Sequence, residues 1–221
     1  MKNAFQTFNR NLVETREMFS CYEFLEKEVK LPCDRISDFL RFQIVYAVSA
    51  LDRFIHEIIR VGCIESLHGR RLPTEKFASF SIKLSNQMNL IMNEAGTMND
   101  ISSLQSEFIK IVCGELSDSL AHVSFQSSTR IKEGLSFIWV EQQKFAKLAQ
   151  FMTMSSGDVE QMLNLLVTRR NQIAHEADID PVSSQKRDIT VEEVQHALSF
   201  IENFACAIYN VVTNERCYLS Q

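Results

Sequence analysis

Three polar residues in the C-terminal third of the chain have the side chains that acid–base chemistry at a phosphate requires. They are Arg170, Asn171 and His175, within the stretch Thr168–Asp178. A guanidinium binds phosphate through a planar fork of donors, and an imidazole titrates near neutrality and carries protons. With 5 His in 221 residues, Arg followed five residues later by His arises by chance about 0.3 times per chain, and about 0.02 times with Asn after the Arg.

Arg170 falls on the apolar side of a predicted helix. Val159, Leu163 and Leu166 are spaced as one helix face, and four further residues lead to Arg170. A buried guanidinium keeps its charge and therefore needs a carboxylate or a ligand phosphate. Two interpretations stay open: an internal ion pair, for example with Asp52 of the central helix, or an arginine held at a cleft to bind phosphate.

The position of His175 limits where this helix can end if Arg170 and His175 are to act in one site. On a continuous helix, five residues would turn His175 about 140° away from Arg170, while Asn171 would share its face. We therefore expect the helix to end before His175 if one chain is to form the site, with an end between Ala174 and Pro181. The helix C-terminus would favour a charged imidazole.

The elements around this stretch are all predicted to be helical. Apolar residues at three-four spacing indicate helices over about 3–29, 35–66 and 129–152, the last including Trp139. Ser155–Asp158 provides a helix start, and Thr190–Glu193 is a capping box that begins the last helix. Residues 68–128 indicate an irregular helical insertion, with a helix over 84–93 and a connection over 94–100. We predict an all-α bundle over 1–221, formed as a single domain, because no strand alternation competes.

Composition excludes several classes of protein. The chain is 45% hydrophobic and 23% charged, and its net charge is -5, so any contact with RNA must be local rather than spread over the surface. It contains no apolar run long enough for a membrane span and no signal-peptide pattern, which predicts a cytoplasmic protein without membrane contact. The six cysteines form no C-x-x-C pair and are expected to be reduced. No metal or cofactor is predicted.

The residues resemble those of the HEPN superfamily, whose signature is Arg, a polar residue and then His. The stretch Arg169–Asp178, together with Tyr46–Phe54 in the central helix, is most similar to the RiboL-PSP-HEPN branch. The resemblance implies a helical bundle, a dimer in which two motifs meet in one cleft, and metal-independent RNA cleavage, often in toxin or anti-phage systems with a regulatory partner such as an antitoxin. Some members carry Tyr two residues after the His, where this chain has Ala177.

The chemistry leads to the same dimer independently. Metal-free cleavage of RNA needs a base for the 2'-hydroxyl, an acid for the leaving 5'-oxygen and a cation for the phosphorane. One chain offers one histidine in this stretch, whereas a two-fold homodimer offers two. The sequence therefore predicts an endoribonuclease with Arg170 on the phosphate, His175 as acid or base and Asn171 in positioning. The alternative is a non-catalytic module for dimerisation or for binding of nucleotides or RNA.

Two further sets of residues are weaker candidates. Asp52 and His56 share a face of the central helix and could support the cleft from behind, although a polar contact between helices is the commoner role for such residues. Arg169, Lys186 and Arg187 could contact the RNA backbone, although charges in loops are mostly just solvated.

Overall fold

The structure, a computed structural model, describes residues 1–83 and 101–214 and is all-α over those ranges. No strand occurs there apart from an isolated bridge between Ile179 and Lys186, so the predicted fold class is confirmed. The helices are α1 (Lys2–Lys27), α2 (Cys33–Ile36), α3 (Asp38–Leu67), α4 (Glu75–Ala78), α5 (Ile101–Ala121), α6 (Ser128–Leu135), α7 (Lys144–Met152), α8 (Ser156–Glu176) and α9 (Val191–Thr213).

The central position of α3 follows from its composition. Apolar residues occupy most of its circumference, and α1, α8 and α9 all pack against it. Phe54 of α3 contacts Phe8 of α1 with the ring centroids 5.3 Å apart, and Phe5 of α1 stacks on Tyr209 of α9 at 4.7 Å. These aromatic contacts bury large side chains between three helices at once and hold α1 and α9 to the same central element.

The predicted helix over 129–152 is wrong in its middle. It is two helices, α6 and α7, separated by residues 136–143, which include Trp139. The break is held by contacts that sequence periodicity does not report: the Thr74 hydroxyl donates to the carbonyl of Phe137 at 3.0 Å, and Arg71 Nη1 donates to that of Ile138 at 3.2 Å. Donors from elsewhere in the chain thus satisfy carbonyls that a continuous helix would have used internally.

The predicted helix starts near the candidate site are confirmed. Ser155 caps α8 by accepting from the Asp158 backbone N–H at 3.1 Å. Thr190 and Glu193 form the capping box of α9, with each side chain bonded to the other residue's backbone N–H. The predicted helix over 84–93 and connection over 94–100 lie outside the described residues.

The expectation about cysteines is wrong at one position. Cys21, Cys33, Cys63 and Cys113 are free thiols, whereas Cys206 in α9 is disulfide-bonded. Burial raises the pKa of Cys63 to about 12, which keeps that thiol protonated and unreactive. None of the described helices is both long and apolar enough to cross a membrane.

Gly134 allows the close packing of α6 against α3. A Cβ built on it would lie 2.5 Å from the Phe125 ring and 2.7 Å from Ile59 Cδ1. We expect Gly134→Ala to lower the free energy of unfolding by roughly 1–3 kcal/mol, because the core must shift to admit the methyl group. The measurement is urea denaturation.

Gly114→Ala in α5 is the matched control, since among the described residues no atom beyond its own stretch of helix lies within 4 Å of the added Cβ. It should leave stability unchanged or raise it by up to about 1 kcal/mol through helix propensity. Equal effects of the two substitutions would contradict the packing argument.

Candidate functional site

The candidate site lies at the C-terminal end of α8. The helix ends at Glu176, inside the predicted interval, and Ala177 and Asp178 follow with left-handed φ values of 51° and 59°. The expectation that the helix ends before His175 is wrong, because His175 is itself helical. Arg170 and His175 therefore leave the α8 backbone in directions about 140° apart.

Asp178 ends α8 with a buried carboxylate that lies among three arginines. Its side chain is 0% exposed. Arg41 Nε donates to Oδ2 at 2.6 Å, Arg169 Nη1 lies 2.9 Å from Oδ1, and Arg187 Nη1 lies 3.9 Å from Oδ1. A buried carboxylate is tolerated only when such cations replace its lost hydration. We call this group, Asp178 with Arg41, Arg169 and Arg187, the Asp178 cluster.

The Asp178 cluster also fixes the loop that leads from α8 to α9. The Arg187 backbone N–H donates to the carbonyl of Asp178 at 2.9 Å. Arg41 Nη2 donates to the carbonyl of Arg187 at 2.5 Å, and Arg169 Nη2 donates to that of Asp188 at 2.8 Å. Within the loop, backbone N–H groups of Ser183 and Val182 donate to Asp180 and lower its pKa. These contacts hold the loop in a compact conformation and attach it to α3.

The three cations predicted to contact RNA backbone are engaged by the protein itself. Arg169 and Arg187 belong to the Asp178 cluster, and Lys186 Nζ lies 2.7 Å from an Asp38 carboxylate oxygen at the start of α3. Burial lowers the pKa of Arg169, and the neighbouring Asp178 carboxylate opposes that shift. Contact of any of the three with RNA stays a prediction and would require the cation to share its present acceptor.

In contrast to its neighbour Arg169, Arg170 has no acidic partner among the described residues. It is half-buried, and its Nε is shielded from solvent without a hydrogen-bond partner among the described residues. Its Nη1 donates to Asn171 Oδ1 at 3.0 Å. The alternative of an internal ion pair for Arg170, for example with Asp52, is wrong for the described residues, because Asp52 bonds to Phe125 and Gln126. Arg169 forms the ion pair of this helix, and the Nε–H of Arg170 has no acceptor among those residues.

Asn171 and His175 are exposed on one face of α8, one helical turn apart. The contact between Arg170 and Asn171 draws the guanidinium toward the face that carries His175. His175 lies in the last turn of α8. One protomer therefore presents a cation, an amide and an imidazole along an open surface rather than in an enclosed pocket.

Asp52 and His56 are engaged away from this surface. Asp52 accepts from the Phe125 backbone N–H at 2.6 Å and from Gln126 Nε2 at 3.3 Å, and His56 packs on the Phe125 ring. Asp52 also lies about 16 Å along the axis of α3 from Arg41, the residue that reaches the end of α8. These contacts make Asp52 the anchor of the loop before α6, and the proposed support of the cleft stays a prediction.

The sequence interpretation missed Arg41 and Asp178. A signal for Arg41 existed, because it precedes Ile44 and Val48 at helical spacing and so falls on a buried face of α3, where it is 4% exposed. Asp178 gave no comparable signal, since it follows the helix and only the folded loop buries it. Across the described residues, no group of three or more His, Cys, Asp or Glu side chains is placed to hold a metal ion.

The chain matches the model of a known family over a range that includes this site. Residues 9–214 match RiboL-PSP-HEPN. The chain belongs to this family. Searches of curated proteins and of solved structures found no match. HEPN domains are often ribonucleases or nucleotide-binding modules, and they commonly dimerise and bind RNA.

The Asp178 cluster leads to a prediction about stability. We expect Asp178→Asn to lower the free energy of unfolding by about 3–5 kcal/mol, since it leaves three arginines around a neutral amide. Asp188→Asn is the matched control, because Asp188 is exposed and contributes its backbone carbonyl to Arg169. Guanidinium denaturation of both variants provides the measurement, and a loss below about 0.5 kcal/mol for Asp178→Asn would contradict the assignment.

Proposed function

We propose that the protein is a metal-independent endoribonuclease that acts as a homodimer. The observation that carries this proposal is the half-buried Arg170, which has no acidic partner among the described residues and reaches Asn171 one turn before the exposed His175. A guanidinium in that state favours an anionic ligand, because the ligand would supply the missing acceptor. Membership of RiboL-PSP-HEPN supports RNA as the source of that anion.

Each residue of the motif has a distinct role in the proposed reaction. Arg170 binds the scissile phosphate and stabilises the charge that develops on it. His175 moves protons, as base for the 2'-hydroxyl or as acid for the 5'-oxygen. Asn171 positions the guanidinium through its amide oxygen. The 2'-oxygen attacks phosphorus, the bond to the 5'-oxygen breaks, and a 2',3'-cyclic phosphate and a 5'-hydroxyl result.

The direction of the two side chains favours a site that two chains complete together. Since α8 is continuous through His175, Arg170 and His175 leave its axis about 140° apart. A two-fold axis beside the exposed face of α8 would bring the His175 of one chain toward the Arg170 of the other and supply both an acid and a base. One chain by itself therefore does not provide both an acid and a base.

Cleavage should depend on His175 and not on a metal. In EDTA, wild type is expected to cut single-stranded RNA to products with 2',3'-cyclic phosphate ends, and His175→Ala to lose about 100-fold or more in rate, because the proton carrier is gone. End-group analysis by mass spectrometry and gel kinetics measure this. His122→Ala, which changes an exposed histidine at the end of α5, should cleave as wild type does.

A requirement for a divalent ion, or cleavage by His175→Ala at the wild-type rate, would falsify this mechanism. The same two proteins test a wider proposal, that the enzyme is a toxin or defence effector restrained by a partner protein. Expression of wild type should slow growth of the host, and expression of His175→Ala should not. Equal growth would reject the effector role without bearing on cleavage in vitro.

Mixing two inactive variants tests the composite site. Arg170→Ala and His175→Ala homodimers each lack one group entirely, whereas a mixed dimer retains one arginine and one histidine from different chains. After joint unfolding and refolding, the mixture should recover part of the wild-type rate, because its single histidine still serves one of the two proton transfers and water serves the other. If the mixture is no faster than the more active parent, an Arg170 and a His175 from different chains are not sufficient for cleavage, and the composite-site proposal is rejected in this form.

A second candidate function is a non-catalytic module that binds a nucleotide or RNA. The observation that favours it is that His175 is exposed on an open surface of the single chain. The cleavage assay separates the two functions, because such a module would bind RNA without releasing cyclic phosphate products.

A further inference from the structure

A groove runs along the outer surface between α1 and α3. It consists of two adjoining cavities of about 440 and 400 Å³, which share Asn11, Ala50 and Arg53. Along α3 it extends from Tyr46 to Arg60, about 21 Å at the rise of an α-helix. Ala50 follows Arg41 by nine residues, which places the two side chains about 180° apart around the axis of α3. The groove and the end of α8 therefore lie on opposite faces of this helix.

The floor of the groove is apolar and one end carries an exposed ring. Phe8, Ala50 and Phe54 contribute to the floor and are themselves almost fully buried. Tyr46 lines the far cavity with 61% of its surface exposed. Apolar floors and free aromatic faces are the surfaces on which unpaired nucleobases stack.

The lining of the groove has three cationic and two acidic side chains, an excess of one positive charge. Lys2, Arg53 and Arg60 line it together with Glu57 and Glu14. Both carboxylates already lie near arginines: Glu57 is 2.7 Å from Arg60, and Glu14 is 4.0 Å from Arg10. Lys2 and Arg53 have no acidic partner among the described residues. In a chain of net charge -5, this local excess of positive charge is complementary to a polyanion.

We propose that the α1–α3 groove binds a single-stranded segment of RNA away from the cleaved phosphate. Arg53 contacts a phosphate at the middle of the groove, and Tyr46 stacks on a base at its end. The choice of RNA rests on the ribonuclease function proposed above. The groove would thus hold the substrate outside the composite site, and its residues would influence which RNA is bound tightly.

Direct binding tests the groove independently of cleavage. The protein is His175→Ala, so that the probe stays intact, and the probe is a 5'-labelled RNA of about 10 nucleotides followed by fluorescence anisotropy. Adding Arg53→Ala should weaken binding about tenfold. It should also reduce the slope of log Kd against log salt by about 0.7, the value for one lost contact to a single strand.

Adding Tyr46→Ala instead should weaken binding about fivefold or more, with an unchanged salt slope, because stacking involves no counterion release. Two controls match these changes. Arg70→Ala removes another exposed arginine that has no acidic partner among the described residues, and Phe24→Ala removes a ring of similar exposure, 58%. Both should bind as the parent does. Tyr46 and Arg53 are exposed, so all four variants should keep the parent's thermal unfolding curve.

The groove proposal is overturned if the parent does not bind the probe, if Arg53→Ala and Tyr46→Ala bind as the parent does, or if Arg70→Ala weakens binding as much as Arg53→Ala. Failure of the ribonuclease function looks different. Wild type would then release no cyclic phosphate products, while binding would still depend on Arg53 and Tyr46.

Discussion

The buried carboxylate of Asp178 is the constraint on which the candidate site depends. Its charge is offset by Arg41 from the start of α3, Arg169 from α8 and Arg187 from the following loop. Oδ2 accepts a hydrogen bond from Arg41, whereas Oδ1 has ion-pair contacts without a hydrogen-bond partner among the described residues. Each of these arginines is itself partly or fully buried, so the carboxylate and the guanidinia are mutually required. The cluster therefore ties together the central helix, the end of the motif helix and the connection to α9. Because these contacts hold Asp178 in place, they also fix the position of His175, which lies three residues earlier.

The neighbouring residues Arg169 and Arg170 have different surroundings in the structure. They leave α8 about 100° apart. Arg169 turns toward Asp178 and the loop, where its charge is compensated internally. Arg170 points to a different side of α8, where its hydrogen-bond partner among the described residues is the neutral amide of Asn171. A guanidinium that is half-buried and not neutralised carries an electrostatic cost in the free protein, and a phosphate would relieve that cost. The structural cluster and the candidate ligand site therefore share a helix without competing for the same cation.

The net negative charge of the chain limits where an anionic substrate could bind. It favours localised positive surfaces over a general attraction to RNA. Two such surfaces occur on opposite faces of α3: the end of α8 with Arg170, and the α1–α3 groove with Arg53 and Lys2. The rigid packing of α3 against α1, α8 and α9 fixes their relative placement. A central helix that is apolar around most of its circumference, with one polar stripe left exposed, is thus compatible with both a core role and a binding role.

The sequence by itself determined the fold class, the helix starts at Ser155 and Thr190 and the interval in which α8 ends, because periodicity and capping are local properties. It also placed Arg170 near a buried face. Only the tertiary structure decided which arginine is paired, that α8 continues through His175 and that the helix predicted over 129–152 breaks around Trp139. These features depend on donors and acceptors distant in the chain, such as Arg41 for Asp178 and Arg71 for Ile138. The spacing along one helix can indicate that a charge is buried, but the residue that pairs with it is decided by what folds over it.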